Sequence, residues 1–280
     1  MIRIGTSGFS FPSWRGRVYP RDLKSCDMLT YYQVCLGFDV VELDFTFYTI
    51  PSRQTIAALS DKGRDAFQFL VKANRLMTHT LRDPKTRRIR ANSDIFHQFL
   101  LSLEPLVEEG KLGCVLFQFP QSFRFSGENV SYLLSCVKRM GDVPIAVELR
   151  SSSWDREETF RFMSENNIAY CAADQMPVGG VMPFVNRATS PGIAYFRLHG
   201  RNGSWVDART GMKHTYLYSS AELSGLKGKI IQVAKGTKTT YICFNNCHAG
   251  ASARNAKQMK RLLGIPDAGD SETVDLFDEP

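Results

Sequence analysis

The sequence contains few of the features that mark membrane-spanning or secreted proteins. No apolar run approaches the roughly 20 residues that a membrane-spanning helix needs. The first residues are typical of a β-strand rather than of a signal peptide. The seven cysteines form no Cys-x-x-Cys pair, and most of them lie in apolar runs. Because buried free thiols are typical of a reducing compartment, we expect a cytoplasmic protein without disulfides or a structural zinc site.

Motifs for metal and dinucleotide chemistry are also missing. None of the five His residues lies in a His-x-His or His-Glu-x-x-His pattern. No Gly-x-Gly-x-x-Gly follows the first apolar run, which argues against a doubly wound dinucleotide-binding domain. A metal-dependent hydrolase or isomerase stays open as a hypothesis. Its candidate metal ligands are Glu42, His79, Glu148, Asp174 and His199.

Charge is distributed unevenly along the chain. Residues 267–280 contain six acidic residues and no Lys or Arg, which leaves 35 Lys and Arg against 22 Asp and Glu in the rest. The formal charge of that body is therefore +13, which favours polyanionic partners such as DNA or RNA. We predict one domain over residues 1–265 and an acidic, disordered tail over residues 266–280.

Eight short apolar runs predict β-strands, and amphipathic helical patterns lie between them. The predicted strands are Arg3–Thr6, Val40–Asp44, Phe67–Val71, Cys114–Phe119, Ile145–Leu149, Ile168–Ala173, Ile193–Leu198 and Thr240–Phe244. The predicted helices include Asp27–Leu36, Arg53–Asp61, Ser93–Glu109, Glu128–Met140, Arg156–Asn166, Ser219–Ala234 and Ala251–Leu263. Strands that are apolar on both faces are typical of buried parallel sheets. The alternation predicts an α/β protein built as a single eight-fold parallel β/α (TIM-like) barrel.

Polar residues gather where the predicted strands end. In β/α barrels, ligands bind at the carboxyl ends of the strands, so these side chains are candidates for function. They are Glu42, Asp44, Lys72, Gln118, Glu148, Arg150, Asp174, Arg197, His199, Arg201, Asn245 and Asn246. On the seventh strand, Tyr195, Arg197 and His199 alternate with apolar residues and therefore share one face.

Several of these segments also match a known pattern in their order and spacing. The segments are IGTSG over Ile4–Gly8, VELDFTFY over Val41–Tyr48, FLVK over Phe69–Lys72, LFQFP over Leu116–Pro120, ELR over Glu148–Arg150, FRLHG over Phe196–Gly200 and FNN over Phe244–Asn246. Together they resemble the YecE-like family, domain of unknown function 72, over about residues 1–265. The resemblance implies the same barrel and supplies no activity. The chain departs from the family at Asp44, where Asn is usual, and at Ser151, where His is frequent.

Glu42 and Glu148 are the leading candidates for acid–base catalysis, because each lies inside an otherwise apolar strand. A buried carboxylate must shift its pKa or meet a cation. Lys72 is the third catalytic candidate, either as a cation for an anionic group or as a Schiff-base nucleophile. The alternative interpretation of all these charges is a structural layer of ion pairs inside the barrel.

The remaining candidates are predicted to hold a ligand. The anion-binding set is Arg150, Asp174, Arg197, His199, Arg201, Asn245 and Asn246, in which guanidinium, imidazole and amide groups suit a phosphate. The aromatic set is Trp14, Tyr48 and Trp154, which we expect on the same rim, where bases or sugars could stack on them. Cofactors are left undetermined.

The tail carries a separate signal. Val274, Asp275, Leu276 and Phe277 resemble the end of the peptide motif by which bacterial DNA-metabolism proteins dock on the sliding clamp, although Thr273 stands where that motif begins with Gln.

Three functional hypotheses result. The leading one is an enzyme, such as a hydrolase or lyase, acting on a phosphate-containing ligand, with nucleic acid among the candidates. The second is a non-catalytic nucleic-acid-binding protein recruited through its tail, and the third is the metal-dependent enzyme.

Overall fold

Eight parallel strands close into one barrel in chain order, as the sequence predicts. The computed structural model describes residues 1–86, 88–90, 92–202 and 215–266. The strands are β1 (Ile2–Ser7), β2 (Val40–Leu43), β3 (Gln68–Lys72), β4 (Leu112–Phe119), β5 (Ile145–Leu149), β6 (Ala169–Gln175), β7 (Ile193–Gly200) and β8 (Thr239–Phe244). Each strand pairs with the next, and β8 pairs with β1, where Ile242 lies opposite Ile4. The closed sheet therefore has no free edge.

The helices occupy the connections between strands, and every predicted helix is present to within about two residues, whereas the short helix Arg75–Thr78 was not predicted. They are α1 (Met28–Val34), α2 (Arg53–Lys62), α3 (Arg75–Thr78), α4 (Ser93–Glu108), α5 (Gly127–Met140), α6 (Glu157–Glu165), α7 (Ser220–Ala234) and α8 (Ala251–Leu262). Ser52, Ser126 and Ser219 cap α2, α5 and α7 by accepting backbone N–H groups. Among the described helices, none has the length and apolar character needed to cross a membrane.

Alternation along the strands divides the core in two. The barrel interior contains mainly small and medium-sized side chains, namely Val40, Leu70, Cys114, Leu116, Ala146, Ala169, Cys171, Tyr195, Tyr241 and Cys243. Residues of the opposite parity, such as Phe196 and Leu198 of β7, pack outward under the helices in a larger apolar cluster. The inward parity continues toward the carboxyl ends of the strands with charged residues, which places the candidate site above an apolar floor.

Gly5 in β1 is required by close packing. A Cβ added there would lie 1.9 Å from the Val40 carbonyl oxygen of the neighbouring strand and 2.8 Å from the Tyr32 hydroxyl. Backbone in a parallel ladder cannot move away from such a contact without breaking strand pairing, so only glycine is compatible with this position.

We predict that Gly5→Ala prevents stable folding, because the new methyl group displaces β2 from β1. The matched control is Gly228→Ala in α7, where an added Cβ meets nothing within 4 Å. That control should raise the free energy of unfolding by about 0.5–1 kcal/mol, since alanine favours helix. Urea unfolding followed by circular dichroism measures both, and a Gly5→Ala protein as stable as the parent would contradict the packing argument.

Candidate functional site

A buried row of charges crosses the barrel at the carboxyl ends of its strands. Arg197 of β7 donates from Nη2 to Glu42 Oε1 of β2 at 2.6 Å and from Nη1 to Glu148 Oε2 of β5 at 2.7 Å. The Tyr195 hydroxyl donates to the other oxygen of Glu42. Glu42, Glu148 and Arg197 have no solvent-exposed surface. Strand alternation places them on the inward face, so the ion-pair layer and the candidate site are one structure.

A second shell of groups lies above Glu148, closer to solvent. Arg150 pairs through Nε with Glu148 and donates to the Gln175 side chain. Arg150 Nη2 also lies 3.0 Å from His199 Nε2, and the other ring nitrogen of His199 lies 3.0 Å from the Asn245 side-chain amide. Arg150 and Asn245 are partly exposed, whereas His199 is buried. These two partly exposed residues are therefore the part of the shell that a ligand can reach.

Lys72 and Asp44 form a half-buried pair on the other side of the mouth. Lys72 Nζ lies 3.5 Å from Asp44 Oδ1 and 4.8 Å from the centre of the Phe47 ring. Asp44 Oδ1 also lies 3.7 Å from Arg197 Nη2, which connects this pair with the buried row. Lys72 retains 15% and Asp44 32% of their side-chain exposure. The pair is open to a ligand and rests directly on the enclosed charges.

The two buried glutamates differ in their proton affinity. Burial raises the pKa of Glu42, and the nearby Asp44 adds to this effect, while Arg197 opposes it. Burial would also raise the pKa of Glu148, but Arg150 and Arg197 together hold it well below its usual value. Glu148 is therefore an ionised anchor for two guanidinium groups, and Glu42 is the carboxylate that more readily takes a proton.

His199 is neutral in this environment. Burial and the adjacent Arg150 lower the pKa of His199 to about 3. A neutral imidazole has one nitrogen that accepts and one that donates. Arg150 Nη2 and the Asn245 amide nitrogen are both donors, so the neutral ring accepts from one of the two. The ring lies between these neighbours and adds no positive charge to the mouth.

Three predicted anion-binding residues lie outside the barrel mouth, which corrects the expectation of one convergent set. Asp174 has the outward parity of Ala172, accepts from Arg201 Nη2 at 2.8 Å and accepts from the Tyr218 hydroxyl at 2.7 Å. Gly200, with a φ of +87°, ends the alternation of β7 and turns Arg201 to this outer network. Asn246 also has outward parity, and its amide donates to the Tyr216 carbonyl at 2.7 Å.

The predicted aromatic rim is wrong for both tryptophans. Trp14 and Trp154 have no exposed surface. The Trp14 indole donates to the Cys247 carbonyl at 2.8 Å, and that of Trp154 donates to the Phe123 carbonyl at 2.6 Å. Both rings pack under the loops of the mouth and cannot stack on a ligand. Tyr48 is 70% exposed, so its assignment to the rim stays a prediction.

Sequence reasoning missed Gln175 and gave Asp44 no role. The predicted sixth strand ended before Asp174, whereas β6 continues to Gln175, which has the inward parity of Ala173. Asp44 has the inward parity of Glu42, directly after β2. Counting every second residue from Glu42 on β2 finds Asp44, and counting from the inward-facing Ala169 and Cys171 on β6 finds Gln175.

The candidate metal ligands do not converge. Asp174 belongs to the outer network, and the His79 ring packs edge-on against Phe47 with 4.8 Å between ring centres. In the ranges that the structure describes, no group of three or more His, Cys, Asp and Glu side chains is arranged to hold a metal ion. The metal-dependent hypothesis has no ligand set in that part of the chain. The clamp-like segment Val274–Phe277 lies outside the described residues.

Comparison with known proteins supports the whole-chain similarity. The sequence profile described as "Protein of unknown function DUF72" matches residues 3–275. The UPF0759 protein YunF of Bacillus subtilis (strain 168) is 34% identical over 289 residues, covering 99% of this chain and all of that protein. A DUF72 family crystal structure from Thermotoga maritima has a TM-score of 0.87 and 40% identity, covering 94% of this chain and 99% of that one. One from Enterococcus faecalis has a TM-score of 0.81 and 27% identity, covering 100% and 99%.

We predict that Arg197→Met lowers the free energy of unfolding at neutral pH by about 3–5 kcal/mol, because it removes the buried guanidinium that pairs with Glu42 and leaves Glu148 with Arg150 alone. The matched control is Arg187→Met, which removes an exposed bidentate pair with Glu157 and should lower the free energy of unfolding far less, because solvent screens exposed ion pairs.

The deficit of Arg197→Met should also depend on pH. Without the guanidinium, the pKa of Glu42, which burial already raises, rises further above its unfolded value, and a raised carboxyl pKa destabilises the fold progressively as pH increases. Urea unfolding should therefore show a smaller deficit at pH 5 than at pH 8. An equal deficit at both pH values, or one no larger than that of Arg187→Met, would contradict the network.

We predict that the imidazole signals of His199 do not shift between pH 8 and pH 5 in NMR spectra of the His-labelled protein, since its pKa of about 3 keeps it neutral. The unfolded residue takes a proton near pH 6.5, so this group lowers stability as pH falls below that value. His199→Gln identifies the signal by its disappearance. A titration midpoint between pH 6 and pH 7 would show that the ring is not enclosed as described.

Proposed function

The chain belongs to the DUF72 family, and from the geometry of its own mouth we propose that it is an enzyme acting on a phosphate-containing ligand. The observation that carries the proposal is the gradient of exposure across the charge cluster. Glu42, Glu148 and Arg197 are enclosed, whereas Lys72 and Arg150 reach solvent. A rigid, buried set of charges beneath accessible cationic groups is the arrangement that positions a reacting ligand.

Lys72, Arg150 and Asn245 are the groups that would hold the anionic end of the ligand. They come from the ends of β3, β5 and β8, so they surround the mouth rather than extending along one side of it. Arg150 is fixed by Glu148, and Asn245 is fixed by His199. Groups held in this way lose little side-chain freedom when a ligand binds, which favours tight and oriented binding.

Charge balance gives Glu42 its proposed role as the proton carrier. In the described part of the mouth, the cations Lys72, Arg150 and Arg197 face three carboxylates, those of Asp44, Glu42 and Glu148. A bound anion adds negative charge next to Lys72 and so favours protonation of a nearby carboxyl. Because the pKa of Glu42 is already raised, it takes this proton most readily and can supply it during the reaction.

A nucleic-acid-binding protein without catalysis is the second proposal. It is supported by the formal charge of +13 on the body of the chain and would involve docking on the sliding clamp through Val274, Asp275, Leu276 and Phe277.

The experiment that tests the enzyme incubates the purified protein with a bacterial metabolite extract and follows all phosphate-containing compounds by mass spectrometry. We expect one such compound to be depleted as a product accumulates. Lys72→Met and Glu42→Gln should abolish the change while retaining the native circular dichroism spectrum. Lys235→Met is the control, because this exposed lysine follows α7 on the opposite face of the barrel.

Two outcomes would overturn the proposal of an enzyme. One is an extract that the parent protein leaves unchanged. The other is a change that persists in Lys72→Met. Binding to DNA that weakens steeply with salt, without any chemical change in the DNA, would favour the second proposal instead.

A further inference from the structure

An aromatic-walled pocket adjoins the mouth between the loops that follow β1 and β2. Its volume is about 260 Å³, and its apolar walls include Phe9, Phe11, Phe45 and Leu59. Asp44 lines the same pocket. Because Asp44 also pairs with Lys72 at 3.5 Å, the pocket and the cationic part of the mouth share one side chain.

Buried side chains behind the pocket hold its aromatic walls in place. Phe11 packs on the buried Trp14 with 5.1 Å between ring centres, and the Tyr19 hydroxyl donates to the Phe9 carbonyl at 2.6 Å. Gly8 has a φ of +85°, and a Cβ added there would lie 2.7 Å from the Phe11 ring. The loop therefore needs glycine at this position for Phe11 to lie against it. A pocket built this way exists before any ligand arrives.

Phe45 lies on the solvent-facing side of the pocket, because 42% of its surface is exposed. An exposed phenylalanine beside two partly buried ones offers a flat apolar surface at the entrance. Such surfaces bind planar rings by stacking, whichever ring is presented. The volume lies below the roughly 300–1,000 Å³ of sites that enclose a whole ligand, so the pocket suits one ring of a larger molecule.

We propose that this pocket binds the base of a nucleotide whose phosphate lies at Lys72 and Arg150. The inference rests on the proposed function, since it takes the anionic end of the ligand from there. The aromatic walls select a planar ring, and the carboxylate of Asp44 at the pocket edge accepts from a ring N–H or amino group. Free nucleotides carry these groups and a phosphate in one small molecule.

The test compares the binding of ribose 5-phosphate with that of the four common nucleoside 5′-monophosphates by isothermal titration calorimetry. We expect at least one nucleotide to bind roughly tenfold or more tightly than ribose 5-phosphate, as stacking of a base predicts. Phe45→Ala should remove that advantage and leave ribose 5-phosphate binding unchanged. Lys72→Met should weaken both ligands. Leu101→Ala, which removes an equally exposed apolar side chain from α4, is the control and should change neither.

The outcomes separate this inference from the proposed function. If ribose 5-phosphate binds through Lys72 but no nucleotide binds more tightly, the base pocket is overturned and the phosphate site stands. If a nucleotide advantage survives Phe45→Ala and also Phe45→Leu, the ring lies elsewhere and the inference fails. If neither ligand binds the parent protein at millimolar concentration, the phosphate site fails together with the inference that rests on it.

Discussion

The two ion pairs of Arg197 are the interaction on which the upper half of the barrel depends. A guanidinium enclosed between Glu42 and Glu148 links β2, β5 and β7 across the interior. Each charge would be costly in this place without its partners, because desolvation of a single buried ion exceeds the stabilisation that packing offers. The layer is stable only as a set, and that requirement fixes the side chains around it.

Glu42, Glu148 and Arg197 position the charged side chains that lie nearer to solvent. Glu148 shares its two oxygens between Arg197 and Arg150, and Arg150 in turn contacts His199. On the other side, Asp44 lies between Arg197 and Lys72. The structural and the functional interpretations of these charges are therefore not alternatives. The enclosed ions are structural, and their consequence is that the partly exposed ions have defined positions.

The sequence was sufficient for the architecture because each strand and helix carries a strong local pattern. All eight strands were found, and the predicted helices Arg53–Asp61 and Ser219–Ala234 begin within one residue of the starts of α2 and α7. The site was predicted less completely. All polar residues at the strand ends were taken as candidates, whereas only those with inward parity lie in the barrel mouth. Asp174 and Asn246 show this error. The tryptophans show another, because the burial of a loop residue depends on the loops packed over it, which no local pattern reveals.

The pair of Glu42 and Arg197 has a further consequence, for the order in which the molecule acquires its shape. The two residues are 155 positions apart in the chain, and β1 finds its second neighbour only in β8. During synthesis, Glu42 therefore stays hydrated until β7, which carries Arg197, has been made. Contacts so distant in sequence make folding slow. The same ion pairs also disfavour wrong strand registers. A strand that slips by one residue turns its charge away from the interior and leaves the opposite ion without a partner.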